Sequence, residues 1–201
     1  MIPADSISTL NAAEAVRFRP KLYFEDCFNS NSLSSLPVEA LCHALDENVD
    51  ARCTKIEIIL YQNNRTVISY NADMSLALND EGITLAERIL TQIFACKNEK
   101  KHLEVGQEFC KVGIATLNFV SENFTLRTAN LEQEAYFHFN KGILKEKVIT
   151  NSKRNTPFTI IDFTPDKEIF GELNIQKEEL ENKIKRLKKN FINLSISTKY
   201  L

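Results

Sequence analysis

Apolar residues recur at helical spacing in several stretches of this chain. The pattern predicts helices over residues 9–18, 36–51, 84–96, 112–120 and 176–192. Pro20 should end the first helix, whereas Pro37 lies where the first turn of the second helix tolerates proline. The last helix carries the clearest apolar stripe, formed by Leu180, Ile184, Leu187 and Phe191. Its outer face is rich in Lys, Glu and Arg, which indicates a solvated surface.

Strand-like runs alternate with these helices early in the chain and dominate later. They are predicted over residues 55–61, 65–70, 124–130, 134–140, 143–150, 157–163 and 194–200. Residues 62–64, Gln-Asn-Asn, read as the turn of a hairpin. Residues 29–35 form a Ser/Asn-rich loop, and residues 97–111 a charged, irregular and mobile loop. The order predicts an α+β fold in one domain over residues 1–201, with helices on one face of a mixed, mainly antiparallel sheet.

Composition excludes several classes of function. The 201 residues include 25 basic and 27 acidic side chains, for a formal charge of -2, so no overall field attracts nucleic acid. We therefore expect no direct DNA binding. No apolar run approaches the roughly 18 residues that span a bilayer, and the first residues lack a signal-peptide pattern. We expect no membrane association and a cytoplasmic protein, with its five cysteines reduced and mostly buried.

Five stretches in register resemble the N-terminal ATPase domain of the DNA gyrase B protein and of its topoisomerase IV counterpart. Residues 15–23, AVRFRPKLY, are similar to the AVRxRPxMY signature, and residues 80–89, DEGITLAERI, to its EEGVSAAEVI segment. Residues 112–118, VGIATLN, resemble the helix that follows the ATP lid. Thr159 with residues 163–165 and the Leu-rich helix over 180–191 complete the match, from about residue 9 onward. The resemblance implies a GHKL α/β sandwich that holds ATP and Mg²⁺ between sheet and helices.

The resemblance assigns roles to residues on the second helix. The family carries Glu-x-x-x-Asn-x-x-Asp there, and this chain has Glu39, His43 and Asp46, followed by Glu47. By resemblance Glu39 is the general base, and His43 and Asp46 are nucleotide-binding residues. His43 also takes the place of the family's metal-holding Asn. Imidazole nitrogen suits Zn²⁺ or Cu²⁺ better than Mg²⁺, which prefers hard oxygen ligands.

The adenine-binding box of the family, Asp-x-Gly-x-Gly, reads Asn71-Ala72-Asp73-Met74-Ser75 in this chain. The resemblance makes Asn71 a nucleotide-binding residue, because its amide oxygen can still accept a hydrogen bond. Asp73 is an alternative, shifted substitute for the family Asp. Both glycines of the box are replaced, so Cβ atoms occupy space that the base would need. Thr159 aligns with the family threonine beside the adenine.

The glycine-rich lid of the family aligns with residues 107–113, QEFCKVG, in which only Gly113 is retained. By resemblance Gly113 contacts the nucleotide. Glu108 would bring a negative charge toward the phosphates, whereas Lys111 could attract them. Phosphate binding is therefore expected to be impaired.

Three functions remain open from the sequence. The favoured one is a pseudo-ATPase: a gyrase-B-like scaffold, degenerate in its ATP-binding motifs, kept as a binding or regulatory module. Its partner would be a gyrase- or topoisomerase-type subunit, or a second copy of the chain. The alternative is a functional ATP-binding and ATP-hydrolysing domain of a type II DNA topoisomerase. A third possibility is a pocket adapted to another ligand, with His43 as the new polar contact.

Overall fold

The computed structural model describes residues 10–93, 101–106, 109, 110 and 112–201 of the chain. The helices in this part are α1 Ala12–Phe18, α2 Pro20–Tyr23, α3 Glu25–Asn29, α4 Leu36–Glu39, α5 Cys42–Val49, α6 Leu85–Thr91, α7 His102–Gly106, α8 Ile114–Phe119, α9 Lys167–Phe170 and α10 Lys177–Asn190. The strands are β1 Lys55–Leu60, β2 Thr66–Tyr70, β3 Ser121–Ala129, β4 Gln133–Asn140, β5 Ile143–Asn151, β6 Phe158–Pro165 and β7 Ser195–Tyr200.

The described strands form one mixed sheet of seven strands in the order β5-β4-β3-β6-β2-β1-β7. All neighbours pair antiparallel except β1 and β7, which run parallel. The predicted hairpin is confirmed, because β1 and β2 pair antiparallel on either side of residues 61–65. The predicted α+β class is confirmed as well, with a mainly antiparallel sheet consistent with a GHKL-like sandwich.

One row of apolar side chains crosses the sheet and shows how its buried face is built. Ile58 pairs with Ile68, Ile68 with Ile161, Ile161 with Leu126, and Leu126 with Phe137. All five side chains are fully buried. Alternate residues of β2, β4 and β6 point to this face, as the period of two in a strand requires. The helices cover this face, and α10 adds the predicted stripe of Leu180, Ile184, Leu187 and Phe191, all buried.

The helix boundaries differ from the sequence-based prediction in several places, and the helix predicted over residues 84–96 ends at Thr91. Pro20 does end α1 at Phe18, but a new short helix, α2, begins at the proline itself, because its fixed φ suits a first turn. The single helix predicted over residues 36–51 is wrong, since the chain breaks between α4 and α5. The loop predicted over residues 97–111 contains α7, whereas residues 97–100, 107, 108 and 111 lie outside the described part.

Two further predictions concern the thiols and the membrane. Cys27, Cys42, Cys53 and Cys110 are buried thiols that form no disulfide within the described residues, as predicted, and Cys96 lies outside those residues. Among the helices of the described ranges, none is both long enough and apolar enough to cross a bilayer.

Candidate functional site

The break between α4 and α5 determines how the candidate residues are distributed. The carbonyl of Val38 accepts a hydrogen bond from the backbone N–H of Leu41 at 3.0 Å, an i to i+3 contact that tightens the turn. The same carbonyl accepts a hydrogen bond from the Cys110 thiol at 2.9 Å. The Val38 carbonyl is thus hydrogen-bonded to a residue three positions on and to a distant thiol, which is not the pattern of a regular α-helix. Glu39 ends α4, and His43 lies in a separate helix.

Glu39 points toward the start of α8. Its Oε2 accepts hydrogen bonds from the backbone N–H groups of Val112, at 3.1 Å, and Gly113, at 3.3 Å. Gly113 is the N-cap of α8, with φ of 84°, a left-handed conformation that glycine adopts without strain. The first N–H groups of a helix lack partners within the helix and favour a negative charge. The carboxylate of Glu39 provides that charge, so the helix start already has an anion from within the chain.

His43 and Asp46 line a cavity of about 430 Å³. The other lining residues are Glu47, Asp50, Arg52, Asp73, Ser75, Leu85, Ile89 and Lys101. Within the described residues Glu39 does not belong to this lining but lines two other cavities, of about 240 and 90 Å³. Residues that the resemblance would gather around one nucleotide therefore face different cavities.

The His43 ring is held inside the protein. Its Nδ1 lies 3.0 Å from the hydroxyl oxygen of Tyr70, and its Nε2 lies 3.7 Å from Oε1 of Glu47. Burial lowers the pKa of His43 below its ordinary value, although Glu47 and Asp46 act in the opposite direction. The ring is consequently neutral at neutral pH and brings no positive charge to the cavity. Burial also raises the pKa of Tyr70, which keeps the hydroxyl protonated as a hydrogen-bonding partner.

Asp46 is buried and its Oδ1 is already engaged. That oxygen accepts the backbone N–H of His102 at 3.0 Å and lies 2.6 Å from Nδ1 of the His102 ring. These contacts tie α5 to the first residue of α7. Sequence reasoning missed His102, because it lies in the charged stretch where no periodicity indicates a buried position.

The charged groups that line the cavity are largely paired with one another. Both Nε and Nη2 of Arg52 donate to the carboxylate of Glu47, at 2.5 and 2.8 Å, and Nη2 also lies 2.9 Å from Asp50. Nζ of Lys101 donates to the Asp50 carboxylate at 2.7 and 2.8 Å, and this hydrogen bond lowers the pKa of Asp50. Asp73 adds a further acidic group. The described lining therefore carries more acidic than basic side chains.

The side chains of Asn71 and Thr159 form hydrogen bonds to backbone groups near the cavity. Oδ1 of Asn71 accepts hydrogen bonds from the N–H groups of Thr54, at 3.0 Å, and Lys55, at 2.9 Å, where β1 begins. The hydroxyl of Thr159 donates to the carbonyl oxygen of Ala72 at 2.7 Å. Within the adenine-binding box, residues 71–75, Asp73 and Ser75 line the cavity of His43. Asp73 is the residue considered above as the alternative to Asn71.

A second threonine supports the same segment. Thr128 pairs with Thr159 across β3 and β6, with their hydroxyl oxygens 2.9 Å apart. The Thr128 hydroxyl also accepts the backbone N–H of Met74 at 2.8 Å. Sequence reasoning missed Thr128, although its place on the buried face of β3 is a usable signal. Glu108 and Lys111, on which the prediction for the lid depends, lie outside the described residues.

Comparison with curated proteins identifies several DNA gyrase B proteins as relatives. The chain is 29% identical over 188 residues to the DNA gyrase B protein of Rickettsia felis, a match that covers 92% of this chain and 23% of that protein. It is 30% identical over 190 residues to the DNA gyrase B protein of Borreliella burgdorferi, covering 92% of this chain and 29% of that protein. The match to the DNA gyrase B protein of Caulobacter vibrioides is 26% over 218 residues, covering 96% of this chain and 26% of that protein.

The extent of these matches defines what is shared. The chain spans 23–29% of the length of these curated relatives. No protein-family model matches the chain. Because the similarity covers nearly the whole chain, this chain contains a gyrase-B-like domain.

Proposed function

We propose that this gyrase-B-like domain is a pseudo-ATPase, a binding or regulatory module in which the ATP site is impaired. The observation that carries the proposal is the position of Glu39. Its carboxylate accepts two backbone N–H groups at the start of α8, at 3.1 and 3.3 Å. A general base needs its carboxylate directed at the attacking water. A carboxylate engaged at a helix start also repels a phosphate that would approach the same N–H groups.

The groups around the larger cavity fit ATP and Mg²⁺ poorly. Magnesium prefers oxygen ligands in near-octahedral geometry, and His43 offers nitrogen atoms instead. Oδ1 of Asp46 is engaged by the ring and the backbone of His102. Arg52 and Lys101 are paired with acidic side chains, so their charge is already balanced. These contacts support a site that is impaired for nucleotide hydrolysis.

We infer that the module acts in the cytoplasm on a gyrase- or topoisomerase-type subunit, or by self-association. The similarity supports a gyrase-type partner, and the charge speaks against direct DNA binding. The similarity to the DNA gyrase B protein extends over 92% of the chain. The formal charge is -2, which provides no general attraction for phosphate backbones.

The alternative is a functional ATPase domain of a type II topoisomerase. It is favoured by the retention of Glu39 and Asp46, the residue types that the resemblance requires. Glu39 would then have to leave the start of α8 when nucleotide binds. Under this alternative, the hydrogen bonds of Glu39 describe a resting arrangement of a working site.

Calorimetric titration with ATP·Mg²⁺ and with ADP, combined with a coupled ATPase assay, separates the two functions. We expect no micromolar binding, no turnover, and no change in either measurement for Glu39→Gln. Glu172→Gln, at an exposed carboxylate that lines none of the three cavities named above, serves as the matched control. Micromolar binding together with turnover that Glu39→Gln abolishes, and Glu172→Gln preserves, would establish the ATPase and refute the proposal.

A further inference from the structure

Three side chains that can bind metal meet in the interior, where the chain packs α5 against the segment that contains α7. They are Cys42, the first residue of α5, His102, the first residue of α7, and Cys110. The two sulfur atoms and one ring nitrogen all lie within 4.8 Å of one another. The three residues are 3%, 1% and 0% exposed, respectively. None of them lines the cavity of His43 in the described part of the chain, although His102 contacts Asp46, which does line it.

The ring of His102 contacts a carboxylate through one of its nitrogens. Its Nδ1 lies 2.6 Å from Oδ1 of Asp46, and Nε2 lies 3.1 Å from the carbonyl oxygen of Phe109. A metal-binding histidine typically donates one N–H to a carboxylate and binds the metal through its other nitrogen. Nε2 is therefore the nitrogen that a metal ion would use. Because 3.1 Å leaves no room for an ion between Nε2 and the Phe109 carbonyl oxygen, binding requires the ring to turn away from that oxygen.

Cys110 is held in a backbone conformation that has to be stabilised by its surroundings. Its φ is 60°, in the left-handed region that residues other than glycine seldom adopt. Such conformations persist where neighbouring groups determine them, and they cluster at ligand sites. Here the Cys110 thiol donates to the Val38 carbonyl at 2.9 Å, at the break between α4 and α5. Cys110 also lines a cavity of about 90 Å³ together with Val38 and Phe109.

The donor set selects the kind of metal. Two thiolates and an imidazole are soft or borderline ligands, which suit Zn²⁺ and disfavour Mg²⁺ and Ca²⁺. Zinc bonds of about 2.3 Å to sulfur and about 2.0–2.1 Å to nitrogen, in a tetrahedron, place ligand atoms roughly 3.5–3.8 Å apart. The upper limit of 4.8 Å is about an ångström wider, so metal binding requires the ligand atoms to move closer together. The fourth position is left for a water molecule.

We propose that Cys42, His102 and Cys110 bind one Zn²⁺ ion that fastens α7 and Cys110 to α5. Asp46 acts as the positioning residue, because it holds the imidazole through Nδ1. The ion takes no part in the candidate nucleotide chemistry. It stabilises the structure where His102 and Cys110 approach the α4–α5 break, and this inference does not depend on whether the chain binds ATP.

The first test is a metal titration of the reduced 201-residue chain after treatment with a chelator. Co²⁺ serves as the spectroscopic probe, and Zn²⁺ is then added as the competitor. We expect one Co²⁺ per chain, with a sulfur-to-cobalt charge-transfer band and strong tetrahedral ligand-field absorption, both removed by Zn²⁺. A reduced and folded chain that shows no charge-transfer band at saturating Co²⁺ would overturn the proposal. So would a chain in which an oxidant links Cys42 to Cys110 while the reduced form binds no metal.

Variants then identify the ligands. Cys42→Ser and Cys110→Ser should each weaken the charge-transfer band, and His102→Asn should lower the affinity while leaving both sulfur contributions. Cys53→Ser is the matched control, because Cys53 is equally buried and its Sγ lies 3.8 Å from the Lys55 carbonyl oxygen. A band that survives both Cys42→Ser and Cys110→Ser, or that disappears in Cys53→Ser, would refute the assignment.

Two further measurements do not depend on losing a ligand. Asp46→Asn should keep the charge-transfer band but weaken Zn²⁺ binding by about 10–100-fold, as changes in groups that orient metal ligands do. For the unchanged chain, Zn²⁺ at about a hundredfold excess over its Kd should raise the unfolding midpoint by about 5–10 °C. An unchanged midpoint under these conditions, or an unchanged affinity in Asp46→Asn, would contradict the proposed arrangement.

Discussion

Replacing Glu39 by Gln tests the structural role that the contacts of this carboxylate assign to it at the start of α8. In the resting structure the carboxylate accepts the N–H groups of Val112 and Gly113 at the start of α8. Gln keeps the length of the side chain and one oxygen acceptor but removes the negative charge. The variant therefore isolates the contribution of charge to this contact.

The size of the effect follows from the strength of charged hydrogen bonds. A hydrogen bond to a charged group contributes about 1.5–3 kcal/mol, compared with about 0.5–1.5 kcal/mol for a neutral one. The hydrogen-bond distances of 3.1 and 3.3 Å are long, and Glu39 is only partly buried. The loss of the negative charge should therefore cost an energy near the lower end of the difference between those two ranges. We expect a loss of about 1–2 kcal/mol in the free energy of unfolding. For a chain of this length, that lowers the unfolding midpoint by about 2–8 °C.

The measurement is thermal and urea unfolding of both proteins, with Glu172→Gln as the control for removing a charge at an exposed position. We expect Glu39→Gln to be destabilised and Glu172→Gln to remain within about 0.5 kcal/mol of the unchanged chain. Removing the charge of a catalytic carboxylate that has no structural partner would not lower the free energy of unfolding in this way. If Glu39→Gln is as stable as the unchanged chain, or more stable, the structural role assigned to Glu39 is wrong.

Two other predictions concern an ion pair and DNA. Arg17 donates to the Phe119 carbonyl at 3.0 Å and to the buried Asp166 at 2.6 Å, so Arg17→Ala should cost about 2–3 kcal/mol in urea unfolding. Burial acts to raise the pKa of Asp166, but the hydrogen bonds from Arg17 and the Glu168 backbone and the charges of Arg17 and Lys141 together lower it. The stability contributed by these contacts is present above the unfolded-state pKa of Asp166 and is lost as the pH falls through the lower folded-state pKa. Arg17→Ala should reduce this pH-dependent loss. Arg19→Ala, at an exposed position, should change neither the stability nor its pH profile. In gel-shift series at increasing salt we expect no tight duplex DNA binding, and a steeply salt-dependent affinity would contradict this.

Local patterns determined most of the elements of this fold. Alternation in β2 and β6 indicates which residues face the core, because a strand has a side-chain period of two. The stripe of α10 is predicted for the same kind of reason, since every fourth or third residue shares a face. The hairpin and the late antiparallel strands follow from turn residues and short strand spacing. These features depend on residues close together in the chain, which periodicity reports directly.

Only the tertiary structure decided how the candidate groups are arranged. Spacing of four residues predicts that Glu39 and His43 share a helix face, but the break between α4 and α5 separates them. A partner distant in sequence, the Cys110 thiol, binds the Val38 carbonyl at that break. The meeting of His102 with Cys42 and Cys110 has the same character, because it brings together residues about sixty positions apart. Periodicity describes which face of an element is buried, whereas long-range hydrogen bonds and packing decide where an element ends and which side chains meet.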